Sequence, residues 1–376
     1  MARLAPSPTG AQHLGNARTF LLAYWSARAS GAKLILRIED IDSPRVKSWA
    51  SRQAIEDLQW LGIEWDGPPV IQTQRSERYQ EVLEKLIERD LVYPCVCSRR
   101  DIEAAASAPH ELSRPAPADP SAPREAQDSV SSRCQPAGPT TPGPYREALP
   151  DENATQSFPF DLRSALASET VVYPGTCTPW RRGQSTPEPP DMCWRFRTHD
   201  GEMVLHDCVA GTVACDVANS LGDFPVTRKG GEAAYQLAVV IDDADAGVTE
   251  VVRGDDLLLS TFRQWQLIEA LGLSRPQYAH VPLVVGKDGR RLAKRHGDTR
   301  LSTYRQEGLD PAAIVRWAAR SAGLIATTGG ESDRHPWTSR NAEPLARFHQ
   351  RMIESFDWSR VSKEKVVAGA DWSPEA

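Results

Sequence analysis

Short apolar runs alternate with longer stretches in which apolar residues recur every three or four positions, and this alternation predicts an α/β fold built on a parallel sheet. Arg3-Leu-Ala reads as a short strand and runs into the turn-rich loop Pro6-Ser-Pro-Thr-Gly10. Leu14, Phe20, Leu21, Tyr24 and Trp25 share one helical face, so a helix is expected over 14–29. KLILRI (33–38) is a compact buried strand, and helices follow over 47–61 and 76–90. Later, LAVVI (237–241) reads as a buried strand, 248–252 as another, 257–271 as a helix and 280–285 as a strand entering a glycine-flanked loop. A helix is expected over 311–325. The tail, 326–376, reads as polar and irregular except for one helix near 341–356.

Residues 107–144 break the pattern, with nine Pro, six Ala and six Ser and only Leu112 and Val130 as large apolar side chains. Such a segment cannot bury enough surface to offset its ordering entropy, so it reads as a disordered insertion. It carries much of the chain's proline excess, 29 in 376 residues. The net charge of −6 argues against a binder of nucleic acid driven by bulk electrostatics. It leaves room for a nucleic acid recognised locally. The first residues lack the apolar core of a signal peptide, and no apolar run approaches a membrane span. Seven cysteines at uneven spacing read as reduced thiols or metal ligands in a cytoplasmic protein.

Two segments suit phosphate chemistry. Pro6-Ser-Pro-Thr-Gly-Ala-Gln-His13-Leu-Gly15-Asn16 lies at a strand-to-helix junction, where free backbone N–H groups and the helix dipole favour an anion. Arg290-Arg-Leu-Ala-Lys294-Arg295-His-Gly297-Asp298 puts basic groups on a glycine-flanked loop, suited to a triphosphate whose charge shifts during attack. Taken singly, each is also compatible with a solvated surface loop.

Together they resemble the two signatures of the class I aminoacyl-tRNA synthetases, in the glutamyl branch. Leu36-Arg-Ile-Glu39-Asp40-Ile-Asp42, Ala234-Tyr235-Gln-Leu-Ala-Val-Val-Ile-Asp-Asp243 and Val252-Arg253-Gly-Asp-Asp-Leu257 resemble the same family, in order, over residues 3–310. The resemblance implies a Rossmann-like parallel sheet with an inserted zinc-containing subdomain and a short, mostly helical C-terminal part. The expected divisions are 1–94 and 205–300 for the two halves of the catalytic domain, 95–204 for the insertion and 301–376 for the C-terminal region. By position, Arg3, Leu4, Ala5, Pro6 and Ser7 line a glutamate pocket, with Glu39 on the α-ammonium and Tyr235 and Arg253 completing it. Guanidinium geometry suits a carboxylate, and a buried ammonium needs a carboxylate partner. His13, Gly15, Asn16 and Lys294 hold ATP, with Mg²⁺ assisting. His13 and Lys294 are the catalytic candidates. The signature loop Arg291, Leu292, Ala293, Lys294, Arg295 departs from the family pattern at Arg291 and Ala293, which implies an active but slower enzyme. Asp242, Asp243, Asp255 and Asp256 read as helix caps and loop hydrogen-bonders.

Tyr93-Pro-Cys95-Val-Cys97 and Tyr173-Pro-Gly-Thr-Cys177 are a weak metal pattern by spacing, which leaves free buried thiols equally open. The layout resembles the zinc site of one shortened branch, the glutamyl-queuosine tRNA(Asp) synthetases, which implies one structural zinc on Cys95, Cys97, Tyr173 and Cys177. The 75 residues over 98–172 exceed the usual gap. Cys193, Cys208 and Cys215 read as core or strand thiols. Residues 296–376 are too few for an anticodon-reading domain, which favours the same branch. That branch activates L-glutamate with ATP and glutamylates queuosine in tRNA(Asp), and a monomer is expected. A truncated ordinary glutamyl-tRNA synthetase, a non-catalytic tRNA-binding paralogue and a nucleotidyltransferase are the competing readings.

Overall fold

A computed structural model describes residues 1–41, 46–107, 162, 165–166, 171–180, 183–185, 192–287, 292, 299–326 and 343–367. The chain divides into a main unit, Met1–Ala106 with Phe158–Ala376, and a second, Ser107–Ser157. The insertion read over 107–144 lies outside the described residues beyond Ser107, and so do Arg291 and residues 293–298 of the signature loop.

The main unit is organised by β1 (Ala2–Leu4), β2 (Leu34–Ile38), β3 (Val70–Ile71), β9 (Glu250–Gly254) and β10 (Gln277–Val281). They form one sheet in the order β10-β9-β1-β2-β3, and every neighbouring pair is parallel. Strand order reverses between β1 and β9, and in such sheets ligands bind beyond the strand C-termini at that reversal. Leu4, Leu34, Leu36, Ile38 and Val252 face one core with α1 (Leu14–Ala29), α9 (Pro311–Ser321) and α10 (Leu345–Glu354). Val251 and Tyr278 face the other, with α3 (Ser76–Glu88), α6 (Tyr235–Asp245) and α7 (Leu258–Leu271). Successive strand residues therefore bury opposite faces, as a sheet covered on both sides requires. The remaining helices are α2 (Ala50–Trp60), α4 (Arg99–Ser107), α5 (Val217–Ser220) and α8 (Leu301–Gln306).

Beside the parallel sheet, β4 (Val92–Cys95), β5 (Cys193–Phe196) and β8 (Phe224–Pro225) make an antiparallel sheet, and β6 (Glu202–Asp207) pairs with β7 (Gly211–Asp216). A parallel pair joins β11 (Val284–Val285) to β12 (Val366–Val367). Among the described residues no helix is long and apolar enough to cross a membrane.

Three readings need correction. LAVVI is not a strand but the middle of α6. Every residue from 237 to 243 is buried there, so the helix shows no polar face and its apolar run mimics a strand. The strand expected over 280–285 is two pieces, because Pro282, which has no N–H, separates β10 from β11. The described tail holds more than the one helix expected in it, which is α10: Val366–Val367 also form β12 against β11, and Phe348 and Met352 of α10 are buried in the main core.

One polar side chain, His349, ties that tail to α1 and to the end of α2. The Trp25 indole N–H donates to His349 Nδ1 at 2.9 Å, and His349 Nε2 meets the Leu61 carbonyl at 2.9 Å. The imidazole is therefore the Nε2–H tautomer with both nitrogens used. Trp25→Phe leaves a buried acceptor unpaired and is expected to cost about 1–3 kcal/mol in urea unfolding.

Candidate functional site

The described loop after β1, the ends of β2 and β9, and the N-termini of α1 and α6 surround a cavity of about 460 Å³ at the strand reversal. Arg3, Ala5, Pro6, Ser7, Glu39, Tyr235 and Arg253 line it, and so do His13, Gly15 and Asn16. The fold thus gathers residues that the sequence spreads over 250 positions. Leu4, expected with them, packs in the core and does not line the cavity.

His13 is the N-cap of α1. Its Nδ1 accepts from Gly15 N at 3.1 Å, while Asn16 Oδ1 accepts from His13 N at 3.1 Å, a reciprocal cap. An acceptor Nδ1 places the proton on Nε2, where it can donate. Gly15 keeps the cap uncrowded: a Cβ there would stand 3.1 Å from His13 Cε1 and press on the imidazole. The signature loop is tethered on both described flanks to this end of the cavity. Leu292 N donates to the carbonyl of Val284, a lining residue, at 3.4 Å. On the other side Leu14 N bonds Thr299 O at 3.1 Å and Leu301 N bonds Gln12 O at 2.9 Å.

The opposite end is charged and buried. Arg3 is buried; its Nη1 donates to Val252 O at 3.1 Å and its Nε lies 3.6 Å from Asp243. Burial lowers the Arg3 pKa from its ordinary value, and Asp243 opposes that. Glu39 Oε1 accepts from Arg37 Nη2 at 2.9 Å, while Oε2 meets Ser7 Oγ at 3.5 Å. Burial raises the Glu39 carboxyl, with Arg37 pulling it back. The ion pair of Glu39 with Arg37 is internal: Arg37 is 1% exposed. Asp242 and Asp243 are structural as read, but not as caps. Asp243 lies between Arg37 (2.5 Å) and Arg3, and Asp242 accepts from Gln72, Arg75 and Tyr79.

Arg253 is 5% exposed and held from three sides. Nε donates to His280 Nε2 at 3.0 Å, Nη1 to Gln264 Oε1 at 2.9 Å and Nη2 to Thr261 Oγ1 at 2.7 Å. His280 in turn sits 2.6 Å from Asp207 Oδ2 through Nδ1. His280, Asp207, Thr261 and Gln264 were not found by sequence reasoning. The available signal was polar side chains inside apolar strand and helix patterns.

The thiols also converge. The sulfurs of Cys95, Cys97 and Cys177 lie within 4.8 Å of one another. Cys97 and Cys177 are 3.6 Å apart, and the Tyr173 hydroxyl is 3.5 Å from Cys95 and 3.8 Å from Cys97. A metal bound by thiolates at ~2.3 Å in a tetrahedron needs sulfurs about 3.8 Å apart, so the donor set fits one ion. Cys193 lies opposite Cys95 in the β4–β5 register, and Cys215 is a buried strand thiol, as read. Cys208 follows β6 and is only partly buried.

A parallel α/β sheet, a capped helix N-terminus and two buried arginines thus meet at one cavity. A family profile described as tRNA synthetases class I (E and Q), catalytic domain, matches residues 1–133 and 181–332. A Glutamyl-Q tRNA(Asp) synthetase of Rhodopirellula baltica is 52% identical over 98% of this chain and 96% of that protein. Another, of Symbiobacterium thermophilum, is 37% identical over 98% and 96%. A Glutamate–tRNA ligase of Nitrosospira multiformis is 32% identical over 99% of this chain and 64% of that protein. The crystal structure of a glutamate-tRNA synthetase from Elizabethkingia anophelis shares the fold, with a TM-score of 0.66 at 24% identity over 98% of this chain and 68% of that one. The chain belongs to the class I glutamyl- and glutaminyl-tRNA synthetase family, among the Glutamyl-Q tRNA(Asp) synthetases, and is a ligase of that type.

Burial drives the His280 pKa down to about 4, against the pull of Asp207. The native imidazole is therefore neutral where an unfolded one, titrating near ~6.5, binds a proton. Above that value it contributes no pH dependence. Between ~6.5 and about 4 only the unfolded state gains the proton, so stability falls by about 3 kcal/mol. Urea unfolding at pH 7 and pH 4 should show this loss in the wild type and its absence in His280→Asn.

Proposed function

We propose that this enzyme activates L-glutamate with ATP and transfers the glutamyl group to queuosine at the wobble position of tRNA(Asp). The observation that carries the reading is the cavity at the strand reversal. There buried Arg3 and Arg253 offer cations for the substrate's side-chain carboxylate, and Glu39 offers a carboxylate for its ammonium. The names borne by the relatives at 52% and 37% identity support the choice of acceptor.

In this reading the α-carboxylate of glutamate attacks the α-phosphorus of ATP in line and displaces pyrophosphate. Catalysis is positioning and charge stabilisation, with no protein nucleophile. His13 Nε2–H, the α1 N-terminus and Lys294 hold the phosphates, and Gly15 lets the nucleotide approach the backbone. Mg²⁺ bound with the nucleotide would share its charge. A hydroxyl of the modified base then attacks the glutamyl carbonyl of the adenylate, the acyl–phosphate bond breaks, and AMP leaves as the hydroxyl proton is lost. Cys95, Cys97, Tyr173 and Cys177 would hold one zinc as a structural clamp joining the end of β4 to residues 173–177.

The decisive experiment charges tRNA with labelled glutamate and then digests it with nuclease. Label should travel with the anticodon nucleoside; label on the 3′-terminal adenosine would instead mark an ordinary glutamate–tRNA ligase. Glu39→Gln is expected to raise the KM for glutamate in pyrophosphate exchange by about two to three orders of magnitude, the penalty for an unpaired buried ammonium. Metal analysis should find one zinc per chain, lost when Cys95 and Cys97 are both replaced by Ser.

A further inference from the structure

Two buried arginines, Arg3 and Arg253, line the cavity and a third, Arg37, stands behind Glu39, and they differ in how their charge is met. Arg37 is paired to Glu39 and Asp243, and Arg3 lies beside Asp243. Arg253 makes no ion pair among the described residues; its three acceptors are an amide oxygen, a hydroxyl and an imidazole nitrogen, all neutral. Those bonds use three of the five N–H groups of a guanidinium. A buried cation without a counter-charge is costly, and the cavity it lines is where a ligand can supply one.

The imidazole acceptor depends on a second residue. Asp207 ends β6, and its Oδ1 takes the backbone N–H groups of Val209 and Ala210 at 2.9 and 2.8 Å. Its Oδ2 faces His280 Nδ1 at 2.6 Å, which fixes the proton there and presents the Nε2 lone pair to Arg253. The Tyr278 ring lies parallel to the imidazole, 7° between planes at 5.7 Å, so the ring cannot turn freely. Both His280 and Asp207 are buried and neither lines the cavity.

We propose that Asp207 and His280 are positioning residues that hold Arg253 through a neutral acceptor, keeping its charge uncompensated for the substrate's side-chain carboxylate and so favouring glutamate over glutamine. A direct carboxylate on Arg253 would neutralise the cation that the substrate must meet. The interposed imidazole fixes orientation while leaving the anion one ring away. This rests on the glutamate reading of the cavity.

Pyrophosphate exchange with glutamate and with glutamine tests it in three variants. His280→Asn keeps a donor toward Asp207 and loses the acceptor for Arg253. It should raise the KM for glutamate at least tenfold, change kcat and the KM for ATP little, and narrow the preference over glutamine. His280→Gln can place its amide oxygen where Nε2 stood and should bring the glutamate KM back toward wild type. Asp207→Asn turns an amide N–H toward Nδ1, moves the imidazole proton to Nε2 and sets it against Arg253 Nε–H, so it should behave like His280→Asn. Thermal unfolding at pH 7.5 checks that each variant is folded. Wild-type glutamate KM and preference in folded His280→Asn would overturn the proposal. So would an equal loss in the Asn and Gln variants, which marks a packing role. If the wild type itself shows no glutamate-dependent exchange, the reading of the cavity fails instead.

Discussion

Arg37 is the charge on which the site depends. It sits inside the protein at the C-terminal end of β2 and is held by Asp243, Glu39 and Asp242, which together outweigh the burial that works against its charge. Through it, strand β2 is joined to helix α6, 206 residues away in sequence. The same contacts place Glu39 at the cavity with one oxygen committed inward. Buried ion pairs contribute little net stability, because desolvation offsets most of the attraction. What this one contributes is geometry. Removing Arg37 leaves Glu39 buried without its ion-pair partner, and removing Asp243 does the same to Arg3, so the arrangement is maintained as a unit.

The carboxylates of α6 extend that unit outward. Asp242 gathers Gln72, Arg75 and Tyr79, and Asp245 one turn on takes Arg75 and Arg78. The helix is apolar through its middle and anionic at its C-terminal end, the end where its dipole disfavours negative charge. Arginines from α3 and the turn before it compensate. The floor of the cavity is thus fastened to the third helix by charge as well as by packing.

Much of this fold was legible. Strands β1 and β2 and helices α1, α2, α3 and α7 declared themselves by apolar periodicity, and of the positions quoted from the resemblance Arg3, Ser7, His13, Glu39, Tyr235 and Arg253 do meet in one cavity, while Leu4 packs in the core and Lys294 lies outside the described residues. Helix α6 did not, because burial on all sides erases the periodicity by which a helix is recognised. The partners of Arg253 were hidden for another reason. His280 and Asp207 belong to strands of two different sheets, and only the packing of the end of β6 against β10 brings them together, a fact about topology that local pattern does not contain. The thiols fall between: spacing left Cys95, Cys97 and Cys177 undecided, and three-dimensional convergence makes them one group.

The pairing of β11 with β12 carries one more consequence. Val366 donates its N–H to the carbonyl of Leu283, and Leu283 and Val284 are part of the cavity wall. The polypeptide therefore returns, some eighty residues after β11, to brace the backbone from which the signature loop departs. A tag, truncation or crosslink placed near residue 366 acts on the wall of the cavity, and labels meant to be silent belong elsewhere on the surface.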